Sequence, residues 1–347
     1  MRLAASLVTL ALMIAGCGAV RPAMAPLAGG QFDALAKKQA AGGSFTAGTF
    51  QGRGYKLFTP AGVTGARPLV VMLHGCTQDP DDFAKGTRMN AIAQAEGFYV
   101  LYPAQTRQDQ PMACMPWWDM GDQSRGKGLA GQIVGMIDQI DKDASLDRKR
   151  IYAAGLSAGA AFASGLVAAY PDVFAAVGVH SGLEYGAAKS QWTAQMAMSM
   201  GGPNPDSAGK DAYELMGERA RVLPAIVVHG AADHTVAVKN ADQVARQWAQ
   251  TNDLALNGKA DDDIDSTPDA RVTEQAPGGK TYTRYTFNDA AGKPVVEQVM
   301  VEGMGHAWSG GDKAGSYTDP TGPDASKLIW TFFAAHPMKG ATAKAKK

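Results

Sequence analysis

Six short runs of apolar, often β-branched residues recur along the chain: Pro68 to Leu73, Phe98 to Tyr102, Ile151 to Ala154, Ala176 to Val179, Ala225 to Val228 and Gln298 to Val301. A strand with one wet face alternates polar and apolar residues; these runs are apolar almost throughout and predict strands covered on both sides. Between them the period changes. Ile133, Met136, Ile137 and Ile140 fall at i, i+3, i+4 and i+7, an apolar stripe that predicts a helix packed on the sheet. The small-residue stretch from Ala158 to Tyr170, Ala241 to Gln250 and Ala325 to Phe333 predict further helices, the last ending near His336-Pro337, where proline stops it. Such alternation predicts the α/β class: a mainly parallel, doubly wound sheet with helices on both faces. Two segments break the rhythm and read as excursions from the sheet: Gly186 to Gly217, rich in Met and Gly, and Asn257 to Lys280, rich in Asp, Gly and Pro. The second holds Asp261, Asp262, Asp263 and Asp265 but lacks the Gly and terminal Glu of a calcium-binding EF-hand loop, so it reads as a solvated acidic loop.

The N-terminus has a different pattern. Met1-Arg2 precedes an apolar stretch from Leu3 to Ile14 that is too short to span a bilayer comfortably and suits a signal-peptide core. Ile14-Ala15-Gly16-Cys17 then resembles a bacterial lipobox, in which cleavage leaves Cys17 as a lipid-bearing N-terminus; plain secretion is the alternative. The organisation expected is a leader over residues 1–17, a tether over 18–45, one catalytic domain over 46–337 and a basic tail over 338–347. The chain is expected to be exported, to touch membrane only through the N-terminal lipid, and to sit in the cell envelope, or in the periplasm or medium if not lipidated.

With 347 residues, 46% of them hydrophobic, the chain can bury a full core. Thirty-three basic residues balance 33 acidic ones, so no whole-chain field draws it to nucleic acid. Once Cys17 is set aside, Cys76 and Cys114 form an even pair in a chain expected in an oxidising compartment. They either form a disulfide or remain two buried thiols.

Candidate chemistry starts at Gly155-Leu156-Ser157-Ala158-Gly159, which joins a predicted strand to a predicted helix. That is the setting of a serine nucleophile elbow: glycines permit the sharp turn, and the Ala158 N–H at the helix start faces developing negative charge. With 41 glycines in the chain the pattern alone is weak, and a histidine, an acid and an oxyanion donor are also required. In hydrolases with this elbow the acid and the histidine follow the serine, each on a loop at the carboxyl end of a later strand. Asp233 lies just beyond the run Ala225 to Gly230, where its carboxylate could orient a histidine or simply form an Asx-turn or helix cap. His306, in a glycine-rich loop directly after the last strand, is the candidate base; His234 is too close to the acid in sequence, and His336 lies beyond the last helix. Leu73-His74-Gly75-Cys76-Thr77-Gln78 ends the first strong strand and offers the Cys76 N–H as a second oxyanion donor. Trp117, Trp118 and Trp308 are candidates to line a substrate crevice.

Several blocks together carry a resemblance: Leu73 to Gln78, Gly86-Thr87-Arg88-Met89-Asn90, Gly155 to Gly159, Gly305-His306-Ala307-Trp308-Ser309-Gly310-Gly311 and Gly315-Ser316-Tyr317-Thr318-Asp319-Pro320. The chain resembles the polyhydroxybutyrate (PHB) depolymerase esterase family of α/β-hydrolases from about Gly54 to His336, and that family is similar to feruloyl and acetylxylan esterases. The resemblance implies Ser157 as nucleophile, Asp233 as acid, His306 as base and the Cys76 amide in the oxyanion hole, with no metal or organic cofactor. It implies an exported esterase of short-chain poly(3-hydroxyalkanoate) or oligomeric hydroxyacid esters. A feruloyl- or acetylxylan-type carbohydrate esterase is the alternative, and a surface lipoprotein that binds polymer without cleaving it is a second. Only a short Lys/Ala-rich stretch follows His336, whereas secreted depolymerases that attack solid granules often add a polymer-binding domain. Oligomeric state is not legible.

Overall fold

The structure is a computed structural model that describes residues 42–339. The leader, Cys17, most of the tether and all but two residues of the basic tail lie outside the described residues.

All six predicted strands form and are mutually parallel: β3 (Arg67–Leu73), β4 (Tyr99–Pro103), β5 (Leu146–Leu156), β6 (Val177–His180), β7 (Ala225–Gly230) and β10 (Pro294–Val301). Antiparallel strands extend them on both sides. β1 (Ser44–Phe50) and β2 (Arg53–Thr59) form a hairpin beside β4, while β9 (Thr281–Asn288) and β8 (Ala270–Gln275) flank β10. The ten-stranded order is β1-β2-β4-β3-β5-β6-β7-β10-β9-β8.

The two faces follow from the two-residue side-chain period of each strand. On β3, Leu69, Val71 and Leu73 enter one core while Val70 and Met72 enter the other; Ile151 and Ala153 on β5 oppose Tyr152 and Ala154 in the same way. The first core is closed by α3 (Gly128–Ala144), α4 (Ala158–Ala169) and α7 (Lys239–Asn257), through Ile133, Met136, Leu166, Val244 and Trp248. The second is closed by α1 (Pro80–Thr87), α2 (Met89–Glu96) and α8 (Ala325–Ala335), through Phe83, Ile92, Ile329 and Phe333. Every residue of α4 is buried, which its Ala/Gly/Ser composition permits because a small-residue helix approaches a sheet closely.

Both expected excursions carry regular structure. Gly186 to Gly217 folds as α5 (Gln191–Met200) and α6 (Pro205–Met216). Asn257 to Lys280 is not wholly an excursion, because β8 within it joins the sheet edge with every residue exposed. The acidic loop before β8 is organised by Asp253: Oδ2 accepts the N–H groups of Asp261 and Asp262, and Oδ1 accepts that of Ile264.

Because the six inner strands are parallel, their carboxyl ends share one edge. The segments after Leu73, Leu156, His180, Gly230 and Val301 converge there.

Candidate active site

The elbow is enforced by crowding. Ser157 takes φ 55° and ψ −120°, a region in which a non-glycine residue is strained. A Cβ on Gly155 would lie 2.5 Å from the Gly159 carbonyl carbon, and one on Gly159 would lie 2.1 Å from Leu73 O. Neither position has room for a side chain. The Ser157 N–H donates to His180 O at 2.9 Å, and its carbonyl accepts the Ala161 N–H at 3.0 Å, which ties the turn to β6 and starts α4. From Ile151 to Tyr170 only Ser157 escapes full burial. A hydroxyl therefore emerges from the core at the N-terminus of a helix, where the dipole favours negative charge.

The candidate acid and base are brought together by main chain. A Cβ on Gly230 would lie 2.2 Å from Met304 O, so the loop after β10 packs directly on the end of β7. The Ala231 and Ala232 N–H groups donate to Val301 O and Met304 O, each at 2.9 Å. On this seam His306 Nδ1 donates to Asp233 Oδ2 at 2.7 Å. Asp233 Oδ1 accepts the N–H groups of Thr235 and Val236, both at 2.9 Å. The turn-forming and histidine-orienting readings of Asp233 are thus both realised, one on each oxygen. Burial pushes the Asp233 carboxyl up, but the hydrogen bond and charge of His306 and the Val236 N–H outweigh it and hold the group below its ordinary value. An ionised Asp233 keeps the proton on His306 Nδ1 and leaves Nε2 free to accept one.

Two further histidines lie beneath. His229 Nε2 donates to Val236 O at 2.9 Å and stands 3.5 Å from Asp233 Oδ2. His180 Nε2 accepts the Ser309 N–H at 3.0 Å, which places the proton on Nδ1, facing Ser181 Oγ at 3.1 Å. Burial lowers both rings, His180 well below the ordinary histidine value. They are neutral supports beside His306. Their sequence signal was position, since each sits at or one residue before the carboxyl end of its strand.

Gly75 places the candidate oxyanion loop against the elbow: a Cβ there would be 3.5 Å from Ser157 Cβ and 3.4 Å from Leu156 O. Buried His74 holds this loop, accepting the Gln105 N–H on Nε2 at 3.1 Å and donating from Nδ1 to Gly75 O at 2.9 Å. The Gly75 amide is engaged by Gln78 Oε1, and the Thr77 and Gln78 amides by Met112 O and Gly75 O. That leaves the Cys76 amide as the loop's candidate donor, with Ala158 N–H across from it at the start of α4. Cys76 and Cys114 are disulfide-bonded, which fastens this loop to the segment carrying Trp117 and Trp118.

The aromatic expectations need correction. Trp308 is 1% exposed and points inward: its ring stacks on His180 with centroids 4.8 Å apart, and Nε1 donates to Ser326 Oγ at 3.1 Å. Trp308 lies on β11 (Trp308–Ser309), paired with β12 (Thr318–Asp319), and its ring also meets Phe83 edge-on with centroids 5.5 Å apart. Trp117 is also buried, edge-on to Trp118. Trp118 alone is open to a cavity of about 340 Å³, shared with Arg53, Gln105, Asp109 and Gln191. A residue given no role from sequence takes the exposed place. Tyr317, at φ 50°, sets its ring 6.5 Å from His306 and its hydroxyl 3.0 Å from Thr77 Oγ1. It bridges the lips that carry the candidate oxyanion donor and the candidate base. Among the described residues no group of three or more His, Cys, Asp or Glu side chains could hold a metal ion.

Comparison with known proteins places this geometry. The solved acetyl xylan esterase from Aspergillus awamori superposes with a TM-score of 0.68 at 19% identity, covering 84% of this chain and 99% of that one, so the two share a fold. Acylaminoacyl peptidase of Pyrococcus horikoshii is a more distant fold relative, with a TM-score of 0.53 at 14% identity over 92% of this chain and 45% of that one. The fold is that of the α/β-hydrolases. In sequence, poly(3-hydroxyalkanoate) depolymerase C of Paucimonas lemoignei is 33% identical over 71% of this chain and 56% of its own length. Acetylxylan esterase A of Emericella nidulans is 28% identical over 56% of this chain and 66% of its own length. The chain thus spans between about half and two thirds of these curated relatives. The family model described as Esterase PHB depolymerase matches residues 53–273, a span that includes Ser157 and Asp233 and ends before His306. The chain belongs to the PHB depolymerase family of esterases.

Proposed function

We propose that the protein is an exported serine esterase that hydrolyses short-chain poly(3-hydroxyalkanoate) or oligomeric hydroxyacid esters. The observation that carries this reading is the 2.7 Å bond between His306 Nδ1 and Asp233 Oδ2, on loops at the same sheet edge as a serine held at φ 55°. Ser157 Oγ attacks the acyl carbon while His306 Nε2 takes its proton; Asp233 stabilises the imidazolium formed. The amides of Cys76 and Ala158 bind the oxyanion. His306 then protonates the departing alcohol, and a water molecule, activated by the same ring, releases the acid and restores Ser157. A fluorophosphonate probe should label the wild type and not Ser157→Ala; equal labelling of both would defeat the proposal.

A carbohydrate-ester reading has one observation of its own. The cavity beside Trp118 is lined by Arg53, Gln105 and Asp109, side chains suited to sugar hydroxyls beside an aromatic face. Release of 3-hydroxybutyrate oligomers measured against release of acetate or ferulate separates the two readings. Export is proposed on the leader, with Cys17 as the lipid anchor; no helix among the described residues is long and apolar enough to cross a membrane. Unchanged membrane association of Cys17→Ser would remove the anchor.

A further inference from the structure

Seven large hydrophobic side chains are exposed among the described residues: Met112, Trp192, Met196, Met200, Leu256, Val272 and Tyr317. Their placement is uneven. Trp192, Met196 and Met200, exposed at 89%, 60% and 66%, are spaced four residues apart on α5 and form one apolar stripe. The opposite face of the helix buries Ala194 and Ala197. The stripe belongs to the catalytic edge, since α5 lies in the crossover that leaves the carboxyl end of β6. Met198 O accepts the Ala237 N–H at 2.8 Å and Asn240 Nδ2 at 3.2 Å, in the stretch directly after the Asp233 turn. At its other end Gln191 shares the Trp118 cavity. Met112 and Tyr317, also exposed, border the same mouth, for the Met112 carbonyl and the Tyr317 hydroxyl both bond Thr77. Five of the seven exposed hydrophobes therefore flank the candidate active site.

The chemistry of the stripe selects its occupant. No residue of α5 carries a charge, so the helix offers no cation to a phospholipid headgroup and no acid to a basic partner. An uncharged apolar band on a helix beside the candidate mouth suits a neutral, water-insoluble surface. The geometry points to α5 as an adsorption face that docks the catalytic mouth on the surface of a solid aliphatic polyester. This inference rests on the esterase reading above. Three side chains laid on such a surface hold the protein there without contacting the scissile bond, so adsorption and chemistry separate.

The test uses the full chain with the combined variant Trp192→Ser, Met196→Gln, Met200→Gln, and Leu256→Gln with Val272→Thr as a control at exposed hydrophobes elsewhere. Binding is read by depletion onto poly(3-hydroxybutyrate) particles, and hydrolysis on soluble p-nitrophenyl butyrate. The stripe variant is expected to weaken adsorption by about tenfold or more, with soluble-ester kcat/KM kept within about twofold and the control unchanged. Equal adsorption of stripe variant and wild type overturns the inference, as does equal weakening by the control. Tighter stripe-dependent binding to phosphatidylcholine vesicles would assign the stripe to a lipid surface instead. A wild-type dimer dissolved by the stripe variant in sedimentation equilibrium would assign it to a second copy. Absence of soluble-ester hydrolysis in the wild type would instead reject the esterase reading, which keeps the two failures distinct.

Discussion

Asp233→Asn tests the site most sharply, because the structure dictates how the amide must lie. The Oδ1 position accepts two main-chain N–H groups at 2.9 Å, from Thr235 and Val236, so only the carbonyl of an asparagine can occupy it. The NH₂ is then forced to the Oδ2 position, facing His306 Nδ1 at about the 2.7 Å of the native bond and His229 Nε2 near 3.5 Å. Two N–H groups cannot share that bond. His306 must present Nδ1 as an acceptor, which moves its proton to Nε2, the atom required to receive one from Ser157. In serine hydrolases whose buried carboxylate is made an amide, this tautomer reversal costs about 10⁴-fold in kcat, or about 5 kcal/mol of transition-state stabilisation. The fold should survive because both Oδ1 bonds are kept. The assay is kcat and KM on a soluble p-nitrophenyl ester, with a thermal melt of the same samples. A melting temperature near that of the wild type and a kcat within about tenfold of it would refute the assignment of Asp233 and His306.

Glu184 is buried with neither carboxyl oxygen hydrogen-bonded; burial is the main cause that pushes it up from 4.5 to about 8, with nearby Arg246 and Lys239 opposing and Asp206 adding to the rise. Its folded pKa exceeds its unfolded one, so stability falls as pH rises from about 4.5 to about 8 and is level above. Glu184→Gln should therefore stabilise the fold near pH 8 by an amount on the order of 4 kcal/mol, read as a higher melting temperature, and make little difference near pH 4.5; a pH-independent effect would contradict this. The Cys76–Cys114 bridge closes a separation of 38 residues, and its replacement by two serines should cost about 4 kcal/mol in the chain-entropy model, read as a lower denaturant midpoint. Trp308→Ala should cost about 3–5 kcal/mol as a core truncation; a raised KM with unchanged stability would restore it to the crevice.

Burial on both faces is what made the inner sheet legible. Leu69 to Leu73 in β3, Ile151 to Ala154 in β5, Val177 to Val179 in β6 and Ala225 to Val228 in β7 carry no charged residue because helices cover both sides, whereas Asp147 to Arg150, at the half-exposed start of β5, leave no such trace. β8 lies at the opposite limit: Ala270–Gln275 is exposed at every residue, so its pairing with β9 leaves no hydrophobic trace. Ser157, Asp233 and His306 were legible as candidates because each follows a strand end that an apolar run marks, and the fold brings Asp233 and His306 to within 2.7 Å of each other. Closeness in sequence to His306 says nothing of where the Trp308 side chain points, and its ring packs inward on His180 and Phe83. Tyr317 carried no local signal, since its partner Thr77 is 240 positions away.

The seam between β7 and β10 has a consequence for how such an enzyme can change. The contact between Asp233 and His306 is set by strand register, Val301 beside Gly230, and by amide-to-carbonyl bonds from Ala231 and Ala232. None of these depends on which side chains line the mouth. The lips, carrying Met112, Trp118 and Tyr317, can be rewritten while Asp233 and His306 stay aligned. Descendants of such a scaffold can therefore exchange substrates by drift at the rim, and directed evolution of new ester preferences has its safest starting library there.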